Sequence, residues 1–203
     1  MSIEASNGDI IKSQLHFAQY LDGVGWIGNL KSMSAPNGYL LKLSNIDTLI
    51  YPDPLDLKGD VDSKERNPIV PDYHGLTEIS ATPKALLPFA RWEVNPSKYE
   101  FSMNAIAIVA ENGIDQNMLQ DGDEVAAFAK NEVRGSGKAI YIPALKSYMI
   151  FMTMYANEAG ENMDLRYYNA FNNQEYDLIE KVNFKINNIL GFVDKPVIWH
   201  LGA

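Results

Sequence analysis

There is no cysteine in this chain, and that one absence removes disulfides, thiolate metal sites and cysteine nucleophiles together. It leaves an extracellular home open, because a domain of this size can be stable without covalent staples. Long apolar runs are missing too: no stretch of about 18 apolar residues occurs, so nothing in the sequence reads as a membrane span. Basic clusters are absent as well. The 17 lysines and arginines stand singly among 26 acidic residues, and a net charge of −9 argues against a phosphate backbone, hence a nucleic acid, as partner. Residues 1–9 offer neither a basic n-region nor an apolar h-region, so no signal peptide is expected in this chain.

Histidine is scarce, and His16, His74 and His200 never fall at a ligand spacing such as H-x-x-x-H. Each reads as a surface or half-buried polar residue. Ser136, between Gly135 and Gly137, lacks the G-x-S-x-G spacing of a nucleophile elbow and reads as part of a turn or bulge. Gly23-x-Gly25-x-x-Gly28 matches the dinucleotide fingerprint letter for letter. It needs a helix after it, and the chain instead turns at Pro36-Asn37-Gly38, so these are turn glycines.

What the chain does have is apolar material, 46% of residues against 21% charged, as in a folded globular protein. Seven of its ten prolines fall from Tyr51 to Pro96. Proline removes a backbone donor and biases the residue before it to extended geometry, so this stretch is neither a long helix nor a central strand. The punctuation divides the chain into a small β unit over residues 1–57, a proline-rich linker or wrap over 58–91, and an antiparallel β-sandwich over 92–203. Short strands at Tyr39–Leu43 and Thr48–Tyr51 belong to the first.

The third segment is dense in strand signals. Tyr99–Val109 alternates and then becomes apolar on both faces, and Ser147–Ala156 is apolar throughout, which makes it a central strand. Met149, Met152 and Met154 there are gap-filling core residues. Gly122–Gly135 reads as a hairpin with Lys130-Asn131 as a two-residue loop: Ala129 opposes Glu132, Phe128 opposes Val133, and Ala126 sits across from Gly135. Phe128 and Val133 then face the core, with Glu132 and Arg134 on the outer face. Seven or eight short strands with no helix between them predict an all-β chain. The expected fold is an antiparallel β-sandwich, jelly-roll or immunoglobulin-like, with a smaller N-terminal β unit.

Several stretches carry a resemblance. Trp92, Asn95-Pro96-Ser97, Tyr99–Met103, Gly122–Phe128, Asn131–Gly135, Tyr148-Met149 and Tyr155–Asn157 resemble a β-rich module near the C-termini of large secreted and cell-surface proteins of Bacteroidetes-type bacteria. Asp9–Gln14, Phe17–Tyr20, Gly25–Gly28 and Gly38-Tyr39 resemble a companion unit of the same proteins. The resemblance implies an extracellular or cell-surface location; a non-catalytic role is expected because no constellation in the sequence names a reaction. In that family a Trp-rich strand precedes the companion unit, whereas only eight residues precede Asp9 here. The expectation that follows is an N-terminally truncated unit with an open sheet edge, and a homodimer formed through it.

Two sets of side chains invite chemistry. Aromatic rings stack on sugar C–H faces, although at strand spacing they more often serve the core; Trp26, Trp92, Tyr148 and Trp199 are the rings of interest, and Trp26, Trp92 and Tyr148, with Glu132 and Arg134, form the candidate ligand set. Asp115, Asn117, Asp121 and Asp123 supply hard oxygen donors suited to Ca²⁺ without the spacing of an EF-hand, so they read as a solvated acidic turn with calcium as the alternative. The function expected is a binding or assembly module, carbohydrate-binding in its sharper form, whose partners are a polysaccharide or neighbouring domains of a larger protein. The alternative is a small β-sandwich hydrolase using a metal or carboxylates, Glu124 with Glu132 or Glu100.

Overall fold

The computed structural model describes residues 3–33, 37–47 and 91–202. The strand expected at Thr48–Tyr51, His74 and the proline-rich segment up to residue 90 lie outside the described residues. The chain clusters into two compact units, one of Met1–Glu4 with Asp47–Phe89 and one of Ala5–Ile46 with Ala90–Ala203. In the first, the Glu4 amide donates to Asp47 Oδ2 at 2.8 Å. The second joins the N-terminal and C-terminal strands that the sequence reading divides.

This unit is an all-β sandwich. Its smaller sheet holds β1 (Ile10–Lys12), β2 (Phe17–Leu21), β3 (Gly25–Gly28) and β4 (Leu40–Lys42), in the order β3-β2-β1-β4 and antiparallel throughout. Gly25 and Gly28 are the two ends of strand β3, with Gly23 in the turn before it, and residues 29–33 after it are not helical. The larger sheet is built from β5 (Phe101–Ala110), β6 (Glu124–Ala129), β7 (Glu132–Ile142), β8 (Ser147–Ala156), β9 (Asn162–Asn169), β10 (Gln174–Asn183), β11 (Ile189–Leu190) and β12 (Val197–His200). Its order is β10-β9-β6-β7-β8-β5, with β11 and β12 end to end along the far side of β5.

Those last two strands run parallel to β5, while the other pairings are antiparallel. Between them Gly191 takes φ 76°, and a side chain there would collide with the Ile106 carbonyl. The large sheet then curls until its ends meet. Leu201 bridges Leu178 of β10, and the Gly202 amide donates to the Asp177 carbonyl at 2.8 Å.

Strand parity sorts the residues. On β6, Val125, Ala127 and Ala129 point into the curl with Ile150, Met152 and Met154 of β8 and Trp199 of β12, all of them buried. Small alanines let the strands close tightly around the larger methionine and tryptophan side chains. The opposite face of β6 carries Glu124, Ala126 and Phe128, and Trp92 covers it, its ring meeting Phe128 edge to face at 5.9 Å. On β8 the outward set is Phe151, Thr153 and Tyr155, and here the small sheet docks. Phe17 packs on Phe151 with ring centroids 5.7 Å apart, and Tyr155 Oη donates to the Gln14 carbonyl at 2.5 Å. A four-stranded sheet with short strands cannot bury Ile10, Phe17 and Ile27 by itself, so it shares a core with β8.

The β6–β7 hairpin corrects one expected pairing. Lys130 and Asn131 both have positive φ, 51° and 62°, as a two-residue type I′ loop requires, and Ala129 faces Glu132 while Phe128 faces Val133. Beyond that pair the register slips, and Gly135 lies across from Ala127 instead of Ala126. Arg134 is the extra residue of a β-bulge, which redirects its side chain. Instead of standing on an exposed outer face it is buried, paired to Glu161 at 2.9 Å and stacked over the Tyr99 ring at 4.8 Å. Gly135 follows because a side chain there would run into the Thr153 carbonyl of β8. Ser136 therefore sits inside strand β7 and not in a turn.

Candidate functional site: a cleft between the two sheets

Where the small sheet stops short of β6 and β7, the outer face of the large sheet is left partly uncovered. The result is a cleft of about 440 Å³. Leu15 and His16, from the loop between β1 and β2, form one side; Trp92, Glu124, Ser136 and Lys138 form the other. Its floor is the outward row of β8.

Glu124 is the unusual residue here. It is 2% exposed. The Arg91 amide donates to its Oε2 at 3.1 Å and the Trp92 amide lies near the carboxylate, while Oε1 has no hydrogen-bond partner. Burial pushes its carboxyl above the usual carboxylate range, against the opposing pull of those two amides and of the Lys138 and Arg91 charges. Lys138 is its direct neighbour across the β6–β7 ladder. Ser136 Oγ donates to the Trp92 carbonyl at 2.8 Å, which ties the covering segment to β7. The cleft is therefore lined by a buried carboxyl, one oxygen of which has neither a hydrogen-bond partner nor accessible surface, and by a largely apolar wall, so a ligand reaches that oxygen only where the lining gives way.

The candidate ligand residues do not converge. Trp92 alone lines the cleft, and it is packed on Phe128 as core. Trp26 lies on β3 with its ring edge-on to Tyr20 at 5.5 Å. Tyr148 pairs with Tyr141 at 5.1 Å near the β7–β8 turn. Glu132 is at the hairpin tip, 2.9 Å from Lys98, and Arg134 is enclosed as described.

The acidic loop is spent on structure as well. Asp123 is fully buried, its oxygens accepting from Tyr167 Oη at 2.7 Å, the Gln120 amide at 2.8 Å and the Ala170 amide at 2.9 Å. Asn117 Nδ2 donates to the Tyr148 carbonyl at 2.7 Å and to Ser147 Oγ at 2.9 Å. Asp115 reaches His200, and Asp121 is exposed in the turn. Among the described residues no three His, Asp or Glu side chains gather as a cation cluster.

His200 is held from two sides. Its Nδ1 lies 2.7 Å from Glu180 and its Nε2 3.0 Å from Asp115, and its amide donates to the second Glu180 oxygen at 2.7 Å. The hydrogen bond to Glu180, then that to Asp115, raises the imidazole above its ordinary value. Burial works to raise Glu180, but its hydrogen bonds to His200 leave it below the usual carboxylate range.

Sequence reasoning weighed Glu124 only as half of a catalytic pair and missed the cleft. The signal was the parity of β6, which puts Glu124 on the face of Phe128. What hides it is that the cover, Trp92, comes from a distant segment. Comparison with protein-family models, curated proteins and solved structures finds no match to this chain. Among the described residues no helix is long and apolar enough to cross a membrane.

Proposed function

We propose that this chain is a non-catalytic binding module of a secreted or surface-anchored bacterial protein, and that the cleft at Glu124 is where it takes a carbohydrate. The observation that carries this reading is the buried carboxyl with one oxygen unpartnered beside an apolar wall. A sugar offers the same two things in complement: hydroxyls that satisfy a carboxyl oxygen and C–H faces that lie on apolar and aromatic surface. The resemblance to modules of large surface proteins supports the location.

The test is calorimetry against a panel of neutral oligosaccharides, with Glu124→Ala alongside wild type. Binding that weakens about tenfold or more in the variant, equivalent to roughly 1.4 kcal/mol, is the expected result. A panel with no binding at all overturns it. A second reading, a carboxylate hydrolase, is favoured by the same residue, because a raised carboxyl suits a general acid and Glu93 also lines the cleft. Glu124→Gln separates the two: reducing sugar released by wild type but not by this variant establishes hydrolysis, whereas binding without release leaves the module.

A further inference from the structure

A second site lies on the other open side of the sandwich, where β4 and β5 diverge. Two hollows there, of about 200 and 230 Å³, both have Lys12 and Leu40 in their lining and so adjoin at the lysine along one groove-like side. Lys12, the last residue of β1, reaches across the gap to the outward row of β5. Its Nζ donates to Ser102 Oγ at 3.2 Å and to Asn187 Oδ1 at 3.3 Å. Both acceptors are neutral, and the Asn187 amide is itself fixed on the Ser102 carbonyl at 2.9 Å, so the seat is rigid. Among the described residues Lys12 makes no ion pair, although acidic residues outnumber basic ones in the chain. Burial alone holds its amine below the usual lysine range.

A half-buried ammonium with two weak neutral partners and, among the described residues, no carboxylate paired with it, Glu100 lining the same hollow without an ion pair to it, has lost part of its hydration and gained little in exchange. An anion entering the groove restores that balance. One lysine flanked by a hydroxyl and an amide suits a single negative charge with polar neighbours, and the exposed Leu40 rim offers apolar contact to the body of the ligand. We propose that the Lys12 groove binds the carboxylate of a small organic acid, with a uronic acid as the form that fits a carbohydrate-binding module. The site is separate from the Glu124 cleft and stands without it.

The experiment is NMR titration of the full chain with glucuronate and, in parallel, with glucose. Glucuronate is expected to shift the Lys12, Ser102 and Asn187 signals saturably and glucose to leave them in place. Lys12→Met is expected to weaken glucuronate at least tenfold, while Lys12→Arg retains it. A readout on the wild type guards against a misfolded variant: the Lys12 amine pKa must rise on adding glucuronate. Equal shifts with glucose, unchanged binding in Lys12→Met, or an unmoved amine pKa overturns the proposal. Loss of neutral oligosaccharide binding in Glu124→Ala leaves this result untouched, so the two sites fail independently.

Discussion

The inside of the curled sheet and its outer face solve packing differently. Inside, alanines, methionines and Trp199 interlock, and polar groups enter at the end, where Tyr167 meets Asp123. Outside, under the small sheet, the contact is a mixture: the Phe17–Phe151 pair is flanked by Asn29, Thr153, Asn104 and Tyr155, each tied by a hydrogen bond. The interior is apolar and specifies the fold, whereas the outer contact is a seam with open ends. Both hollows with site character, at Glu124 and at Lys12, lie along that seam. Binding groups have room where two layers meet incompletely.

The contrast can be broken most strongly from inside. Trp199→Ala removes a fully buried ring from the curl and is expected to destabilise by about 3–5 kcal/mol, read as a lowered denaturant midpoint. A loss below 1 kcal/mol would mean that the interior is not the stabilising core. At the seam, Asn29 accepts from the Phe17 amide at 2.8 Å and donates to the Phe151 carbonyl at 3.3 Å, bridging the two sheets. Asn29→Ala leaves that amide unpartnered and is expected to cost about 1–3 kcal/mol. Faster amide exchange should then appear in β1–β3 before β5–β8, which hydrogen-exchange mass spectrometry checks.

The smallest effect is the pH dependence of the sheet closure. His200 titrates higher in the folded chain, so its contribution is complete below its ordinary value of 6.5 and is lost as pH rises through the folded value. Glu180 titrates lower, so its contribution is complete above 4.5 and is lost as pH falls. Between 4.5 and 6.5 both are in force. His200→Gln should therefore lower the thermal midpoint more at pH 5.5 than at pH 8.5, and an equal loss at both would remove the charged pairing.

The parts of the fold that rest on neighbouring residues were legible. Alternation at the start of β5, double-sided apolarity on β8 and the Lys130-Asn131 loop are local signals, and the strands form where they predict. The Arg134 bulge was not, because what forces it is the close pass of β8 behind Gly135 and the pull of Glu161. Nor was the union of the two β segments, since nothing near Phe17 announces Phe151. For the site, Trp92 and Glu124 were each noticed, yet only long-range packing puts them on one cleft. Lys12 is silent in the sequence because its significance is the lack of an ion-pair partner among the described residues, which sequence cannot display.

Strand β12 lies between β5 and β10, although it follows both in the chain. The curl thus has a closing piece that arrives after everything it joins. Until then β5 offers Ala107–Ala110 as a bare apolar strand edge, the kind of edge that recruits a neighbouring chain. A chain whose β12 has not docked therefore presents the same edge that a strand of another chain can fill.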